Sequence, residues 1–180
     1  MHKRKRDELR SAIGKIAWGY IFLHLHFNIG NVDILADWIG YVLFVSALPA
    51  IGEEEESANL LRPLGILLGA LTGISWGNDF LMEGYLNLDV LNIIESVVSL
   101  YFHYQLLTNL ATVARNHECS QEKKILVLRT VKTVLTTFFA VIIPLQLENV
   151  VLYGLLVILL IVTFWICFVL FSFKNEVMAK

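Results

Sequence analysis

Six apolar segments, each about as long as a helix needs to cross a lipid bilayer, are the feature that most constrains this chain. They are separated by short polar breaks such as GEEEESAN and RNHECSQEKK, none of which is long enough for a further domain. The chain is 57% hydrophobic and only 17% charged, which is too apolar for an ordinary soluble domain. The segments cover roughly 12–29, 34–51, 62–78, 88–113, 125–146 and 149–173.

This segmentation predicts an all-α fold: a polytopic membrane protein built as one six-transmembrane-helix bundle. We expect a single transmembrane domain over 1–180, with a basic N-terminus at 1–11, the bundle at 12–173 and a tail at 174–180. The basic start leads into an apolar segment without a small-residue cleavage site, so we expect the first segment to remain in the mature protein.

The basic residues predict how the bundle is oriented. With six spans, all 14 lysines and arginines fall on one side of the membrane, counting Arg129 and Lys132 among those that surround the fourth break. Because cytoplasmic loops carry an excess of Lys and Arg, this side is predicted to be the cytoplasm. We therefore expect a multi-pass protein of the bacterial cytoplasmic membrane with the N-terminus and the C-terminus inside.

The opposite side of the predicted bundle collects acidic residues and no basic ones. A surface of this kind attracts cations, although the members in polar breaks could equally be water-facing loop residues. The acids are Asp33, Asp37, Asp79, Glu83, Asp89, Glu95 and Glu148.

The stretch HLHFNIGNVDILADW, from His24 to Trp38, is polar where the chain should be crossing lipid. If both flanking segments are helical, His24 and Asn28 share one face and Asp33 and Asp37 share another, because residues four apart lie on the same side of a helix. A purely structural alternative is that Asp33 caps a helix and Asp37 lies near the positive end of its dipole.

A second polar row lies in the fourth segment, where Asn92, Glu95, Ser99 and His103 follow one helical face. Ionisable groups within membrane spans are costly and normally face a bundle interior or water, so Glu95 and His103 are candidates for function. The alternative for His103 is a neutral ring that hydrogen-bonds a neighbour within the helix packing.

We interpret these positions as one ligand-binding cavity that opens to the outside. Its predicted members are His24, Asn28, Asp33, Asp37, Trp38, Asn92, Glu95 and His103. Carboxylates and imidazoles suit a divalent metal ion, and they equally suit proton-coupled binding of an organic cation. In the metal alternative, a divalent ion would be the cofactor, held by His24, Asp37, Glu95 and His103.

The third segment carries a row of four glycines that share one helical face. Glycine at this spacing lets another backbone approach closely, which is how helices pack within lipid. The row predicts helix packing, either inside the bundle or against a partner subunit, and the alternative is a substrate that lies along the groove. The glycines are Gly65, Gly69, Gly73 and Gly77.

Several function classes find no support in the sequence. With a formal net charge of -2 and no basic stripe, the chain shows no pattern for nucleic acid. It contains no HExxH, no glycine-rich phosphate loop and no GxSxG, so enzymatic function is not favoured. Cys119 and Cys167 match no disulfide or metal-binding spacing.

The residues Asn28 and Ile29, followed by the run from Asp33 to Tyr41, resemble a segment of small uncharacterised polytopic membrane proteins of Gram-positive bacteria. The pattern of that segment is NIxxxDILPDxIGY, and this chain departs from it with Ala36 in the place of proline. By size and helix count the chain is also similar to the S components of energy-coupling-factor transporters. That resemblance implies capture of a small molecule from outside and small-residue packing against a coupling subunit.

We therefore expect an integral membrane protein that binds or transports a small molecule or cation through an outward-facing acidic and histidine cavity. One alternative is a non-catalytic accessory or assembly subunit, with the glycine row docking a membrane partner. Another is a membrane-embedded metal-dependent enzyme. The expected partners are the lipid bilayer and the ligand, with a further membrane subunit or a homo-oligomer in the accessory alternative and no nucleic acid.

Overall fold

The computed structural model describes residues 2–24, 28–29, 32–33, 37–81, 88–142 and 149–179 of the chain. Six α-helices make up most of this part, and a 3₁₀ helix at Glu56–Leu60 precedes the third of them. The helices are α1 (His2–His24), α2 (Asp37–Gly52), α3 (Leu61–Leu81), α4 (Asp89–Asn116), α5 (Glu122–Ile142) and α6 (Asn149–Ala179). The predicted all-helical fold of six helices is confirmed.

Three helical stretches are long and apolar enough to cross a membrane: Glu56–Asn78, Val90–Asn116 and Tyr153–Val177. A shorter apolar helix covers Asp37–Gly52. Helices α1 and α5 are less apolar because α1 begins with HKRKRDELR and α5 carries three lysines and an arginine in its first eleven residues. The described residues thus provide three helices of spanning length and hydropathy within a six-helix fold.

Helix α1 includes the basic N-terminal segment, which the sequence predicts to precede the bundle. The helix begins at His2, and Arg4 Nε lies 2.9 Å from Glu8 Oε1, one turn further along. Such i,i+4 pairs support a solvated helix face. At the other end of the chain, α6 likewise continues through Ala179, beyond the predicted end of the bundle.

Between α1 and α2 the chain forms a short antiparallel hairpin. Strand β1 (Asn28–Ile29) pairs with strand β2 (Val32–Asp33), with Asn28 opposite Asp33. Because α1 ends at His24 and α2 begins at Asp37, the prediction that His24 and Asn28 share a helical face is wrong, and so is the same prediction for Asp33 and Asp37. The sequence between the strands is Gly-Asn, a pair that favours tight hairpin turns over helix.

Successive helices run in alternate directions, so one end of the bundle gathers both chain ends. We call this the basic end: the start of α1, the α2–α3 and α4–α5 connections and the last turns of α6. The contacts that join these segments include Lys5 Nζ to Glu53 Oε2 at 3.2 Å, His117 Nε2 to Glu54 Oε2 at 3.3 Å, and Ser120 N to Glu176 Oε1 at 2.8 Å.

The ion pair between Lys5 and Glu53 is expected to add little stability, because both side chains are about half exposed. Exposed ion pairs contribute about 0–1 kcal/mol, since solvent and salt screen them. We predict that Glu53→Gln lowers the free energy of unfolding by less than about 1 kcal/mol. Equilibrium unfolding of the wild type and the variant in mixed micelles measures this, and a larger loss would show that the basic end has an organising role.

Helices α1 and α2 approach each other closely at Gly40. A Cβ atom added at Gly40 would lie 2.9 Å from the carbonyl oxygen of Gly19 and 2.9 Å from Leu23 Cγ. The first of these atoms belongs to the backbone of α1, so it cannot move aside as a flexible side chain would. This contact lies one turn after the start of α2 and near the end of α1, where His24 and Asp37 are found.

The glycine row of α3 packs onto α2. An added Cβ would lie 2.8 Å from Val45 Cγ2 at Gly65, 3.4 Å from Tyr41 Cβ at Gly69 and 3.9 Å from Trp38 Cβ at Gly73. Only at Gly77 would it meet no described atom within 4 Å. The geometry therefore favours packing of the row inside the bundle over packing against a partner subunit.

Candidate functional site

A cavity of about 200 Å³ lies between α1, α2, α4, α5 and α6, in the part of the bundle remote from the basic end. Eleven of its lining residues carry polar side chains, and four of these were predicted as ligand-binding residues from the sequence. The polar lining consists of His24, Asp37, Tyr41, Glu95, Ser99, His103, Tyr104, Arg129, Lys132, Thr133 and Thr136.

The other predicted members do not line this cavity as far as the structure describes them. Asn92 is exposed at the start of α4. Trp38 is 37% exposed and lies on the side of α2 that faces Gly73. The side chains of Asn28 and Asp33 lie outside the described residues, so their predicted role stays a prediction.

His24 contributes the last residue of α1 to the cavity. Its Nδ1 lies 3.1 Å from the carbonyl oxygen of Tyr20, and its Nε2 lies 3.2 Å from Lys132 Nζ. A carbonyl oxygen can only accept, so Nδ1 carries the proton and donates it to Tyr20. Nε2 then holds a lone pair and accepts from the lysine ammonium, which makes His24 a neutral ring beside a buried cation.

Lys132 is the most consequential residue that the sequence reasoning missed at this site. Its side chain is 7% exposed, and its Nζ lies 5.4 Å from the centroid of the Tyr20 ring. An ammonium has three N–H donors, and His24 is the one hydrogen-bond acceptor that the described residues offer it. Two donors of a buried cation therefore remain for another acceptor, and leaving buried donors unsatisfied is costly.

Arg129 lies one turn before Lys132 on α5 and lines the same cavity. Its Nη1 donates to Thr108 Oγ1 at 3.1 Å, and its guanidinium lies 4.5 Å from the centroid of the Tyr104 ring. Its Nε is buried and has no hydrogen-bond partner among the described residues. The cavity thus holds a second cation with an unused donor.

Arg129 and Lys132 lie elsewhere than the sequence predicts. Arg129 and Lys132 lie seven and ten residues after the first residue of α5, which is about 10–15 Å along a helix. They belong to the helical bundle and not to the α4–α5 connection. The cavity therefore holds two cations in addition to the acids and histidines that the sequence predicts for it.

The polar row of α4 brings three of its four predicted residues to the cavity. Ser99 Oγ lies 3.2 Å from the hydroxyl of Tyr41 on α2. His103 is buried, and its Nδ1 lies 3.3 Å from the hydroxyl of Tyr20 on α1. The His103 ring is therefore packed and hydrogen-bonded to a neighbouring helix, as in the alternative of a ring held within the helix packing. It also borders the cavity.

Glu95 and Asp37 supply the negative charge of the cavity. Glu95 is partly buried, and among the described residues no ion pair of 4 Å or less joins it to Lys132 or Arg129. Positively and negatively charged side chains therefore line one cavity, and among the described residues neither Lys132 nor Arg129 neutralises Glu95 by direct contact. A partly buried carboxylate in this position is stabilised by any cationic group that enters the cavity.

A signal for the missed cations was present in the sequence. Arg129, Lys132, Thr133 and Thr136 recur at intervals of three and four residues, which places them on one face of α5. Counting lysine and arginine by membrane side obscures this face, because it assigns Arg129 and Lys132 to the cytoplasmic side.

The metal-binding alternative gains no support from the described residues. Among them, no group of three or more His, Cys, Asp or Glu side chains is arranged to hold a metal ion. The residues that the alternative would use, His24, Asp37, Glu95 and His103, line one cavity but do not form such a group. At His24, the ring nitrogen with the lone pair already accepts from Lys132.

A second cavity, of about 630 Å³, lies at the basic end between Lys5, Arg6, Glu53, Glu54 and His117. It is larger, but its lysine and histidine already pair with its two glutamates. The smaller cavity is the better candidate site because it combines charged groups, burial and unused hydrogen-bonding capacity.

Comparison of the chain with protein-family models found no matching family, and comparisons with curated protein sequences and with solved structures found no similar protein.

Proposed function

We propose that this chain is a multi-pass membrane protein that binds, and carries across the bilayer, a small molecule bearing both a positive and a negative group. The carboxylates of Glu95 and Asp37 would hold the ammonium of the ligand. Lys132 and Arg129 would hold its carboxylate or a similar anion. His24 fixes the position of the lysine through the hydrogen bond at 3.2 Å.

The proposal depends on one observation: charged groups of both signs in one cavity have hydrogen-bonding or ion-pairing capacity that the described residues do not use. Lys132 has donors left over after His24, Arg129 has a buried Nε without a partner among the described residues, and Glu95 has no cation within 4 Å there. Each group would be satisfied by the opposite end of the same ligand. A buried charge that meets its partner only on binding gives strong selectivity.

The cations in the cavity disfavour the simpler idea of a purely cationic ligand. A cation entering next to Lys132 and Arg129 would meet like charges, and such juxtaposition is costly where water is excluded. A zwitterion avoids this cost because its anionic group faces the two bases. At about 200 Å³ the cavity is also smaller than the roughly 300–1,000 Å³ typical of pockets for drug-sized ligands. A molecule of amino-acid size fits this volume.

The proposal includes six membrane spans with both termini in the cytoplasm of a bacterial cell. The alternating helix directions and the gathering of both chain ends at the basic end support it, because basic loops and termini favour the cytoplasmic side. In this orientation the cavity lies toward the outer half of the bundle. The accessory-subunit alternative loses its main support, since three of the four glycines of α3 already face α2.

The test uses the ω-amino acids glycine, β-alanine, γ-aminobutyrate and ε-aminocaproate, which differ only in the distance between their charges. Butylammonium and butyrate serve as single-charge analogues, and zinc chloride represents the metal alternative. We expect at least one ω-amino acid to raise the melting temperature of the purified protein, with little effect of the analogues. Ligand that binds only the folded state stabilises it by mass action.

Glu95→Gln is expected to abolish this stabilisation, whereas Glu8→Gln should retain it. Glu8 provides the matched control because its carboxylate pairs with Arg4 on the surface of α1. The proposal fails if none of the ω-amino acids stabilises the protein, or if zinc or butylammonium stabilises it as strongly. Uptake of the best-binding member into proteoliposomes then tests the transport step, and binding without uptake would limit the function to capture.

A further inference from the structure

A shallow groove on the outside of the bundle is almost entirely apolar. It lies between α5 and α6 and has a volume of about 260 Å³. Its floor and walls are Val127, Leu128, Val131, Val162 and Trp165. Trp165 is 58% exposed and Val127 is 61% exposed, so the described residues leave this surface uncovered.

Two lysines close one end of the groove. Lys123 and Lys124 lie in the first turn of α5, are exposed, and make no ion pair among the described residues. The acid next to them, Glu122, is engaged with Arg115, whose Nε lies 2.6 Å from its carboxylate. The positive charge at this end of the groove is therefore not neutralised by its immediate acidic neighbour.

The combination of lysine, tryptophan and an aliphatic channel matches one particular partner. In membrane proteins, Trp and Lys side chains mark the level of the lipid headgroups, while aliphatic side chains face the acyl region. Basic residues beside membrane helices attract anionic lipid. We propose that this groove binds an anionic phospholipid, with its phosphate at Lys123 and Lys124 and an acyl chain along Val127, Val131 and Val162.

This site is independent of the ligand cavity. The groove uses a different face of α5 from the one that carries Arg129, Lys132 and Thr136, so a lipid bound there would not touch the cavity lining. A second copy of the chain is the other partner that could cover an apolar groove. The lysines favour the lipid. On the α6 side, the groove is lined by Val162 and Trp165 and offers no acid that would pair with the lysines.

The position of Trp165 in the groove allows a direct test by fluorescence quenching. A variant with Trp18→Phe, Trp38→Phe and Trp76→Phe retains Trp165 as its one tryptophan. It is reconstituted in phosphatidylcholine vesicles that contain a minor fraction of brominated lipid, either phosphatidylglycerol or phosphatidylcholine. Two lysines near a headgroup imply a preference of up to about 30-fold for the anionic lipid, so brominated phosphatidylglycerol should quench more strongly at equal fraction.

Lys123→Gln with Lys124→Gln is expected to lower quenching by phosphatidylglycerol to the level of phosphatidylcholine. The control, Arg6→Gln with Arg62→Gln, removes two charges elsewhere and should keep the preference. Unchanged Trp165 emission in vesicles without bromine shows that each variant is folded. Equal quenching by both lipids, a preference that survives in the lysine variant, or protection of Trp165 that grows with protein density would each overturn the proposal, the last by indicating a second copy.

Discussion

Lys132→Met is expected to weaken binding of the best ω-amino acid by about 30-fold or more, while the protein remains folded. Truncating one partner of a desolvated charge pair typically costs about 2–5 kcal/mol of binding free energy, and about 1.4 kcal/mol corresponds to a factor of ten. Lys132 is 7% exposed, lines the cavity and has N–H donors beyond the one that His24 accepts, so the anionic end of the ligand would lose its main partner.

The fold should tolerate this substitution because methionine has nearly the length of the lysine stem and carries no charge. Replacing a buried charge with a well-packed apolar side chain is often neutral for stability or stabilising. Isothermal titration calorimetry on the detergent-purified protein measures the affinity, and circular dichroism checks the helical content. Lys123→Met, an exposed lysine on the same helix, is the matched control and should bind as the wild type does. Unchanged affinity in Lys132→Met would remove the lysine from the site.

Gly40→Ala is expected to lower the free energy of unfolding by about 1–3 kcal/mol, the usual cost of overpacking. The added methyl group would lie 2.9 Å from the carbonyl oxygen of Gly19, so the backbones of α1 and α2 must separate. Because His24 and Asp37 are at the adjacent ends of these helices, we expect ligand affinity to fall in the same variant.

Gly77→Ala is the matched control for Gly40→Ala, since a Cβ at Gly77 would meet no described atom within 4 Å. In the interior of a helix, alanine is favoured over glycine by about 0.5–1 kcal/mol, so this variant should be slightly more stable than the wild type. Equilibrium unfolding in mixed detergent micelles compares the two. If both substitutions have the same effect, the close approach at Gly40 does not hold α1 against α2.

Much of the architecture follows from the hydropathy pattern alone. The six apolar segments correspond to the six helices, because the helix is the main structure that an apolar segment of this length forms. The helix ends were less predictable. α1 begins at His2, and its charged first turns form a solvated helix face with Arg4 paired to Glu8, which an apolar count does not register.

The turn between α1 and α2 shows why the local geometry of the site was only partly predicted. Helical spacing does not hold at Asn28 and Asp33, because these residues pair in a hairpin and α2 starts only at Asp37. Even so, His24 and Asp37 do line one cavity, because the close packing of α1 on α2 brings their ends together. That convergence is tertiary and cannot be read from spacing within one segment.

The charge balance of the cavity was predicted wrongly for a different reason. Counting lysine and arginine by membrane side treats every basic residue as a loop residue, whereas Lys132 is buried in the middle of α5. A long lysine stem and an adjacent histidine acceptor make that burial tolerable. The presence of a cation inside the site changes the expected ligand from a cation to a zwitterion.

The most direct test of that claim compares one ω-amino acid with its amine analogue, which lacks the carboxylate, in the wild type and in Lys132→Met. If Lys132 holds the carboxylate, the wild type prefers the amino acid by about tenfold or more, and the variant binds both molecules with nearly equal affinity. A preference of the same size in both proteins, measured by calorimetry, would contradict a cavity that uses charges of both signs.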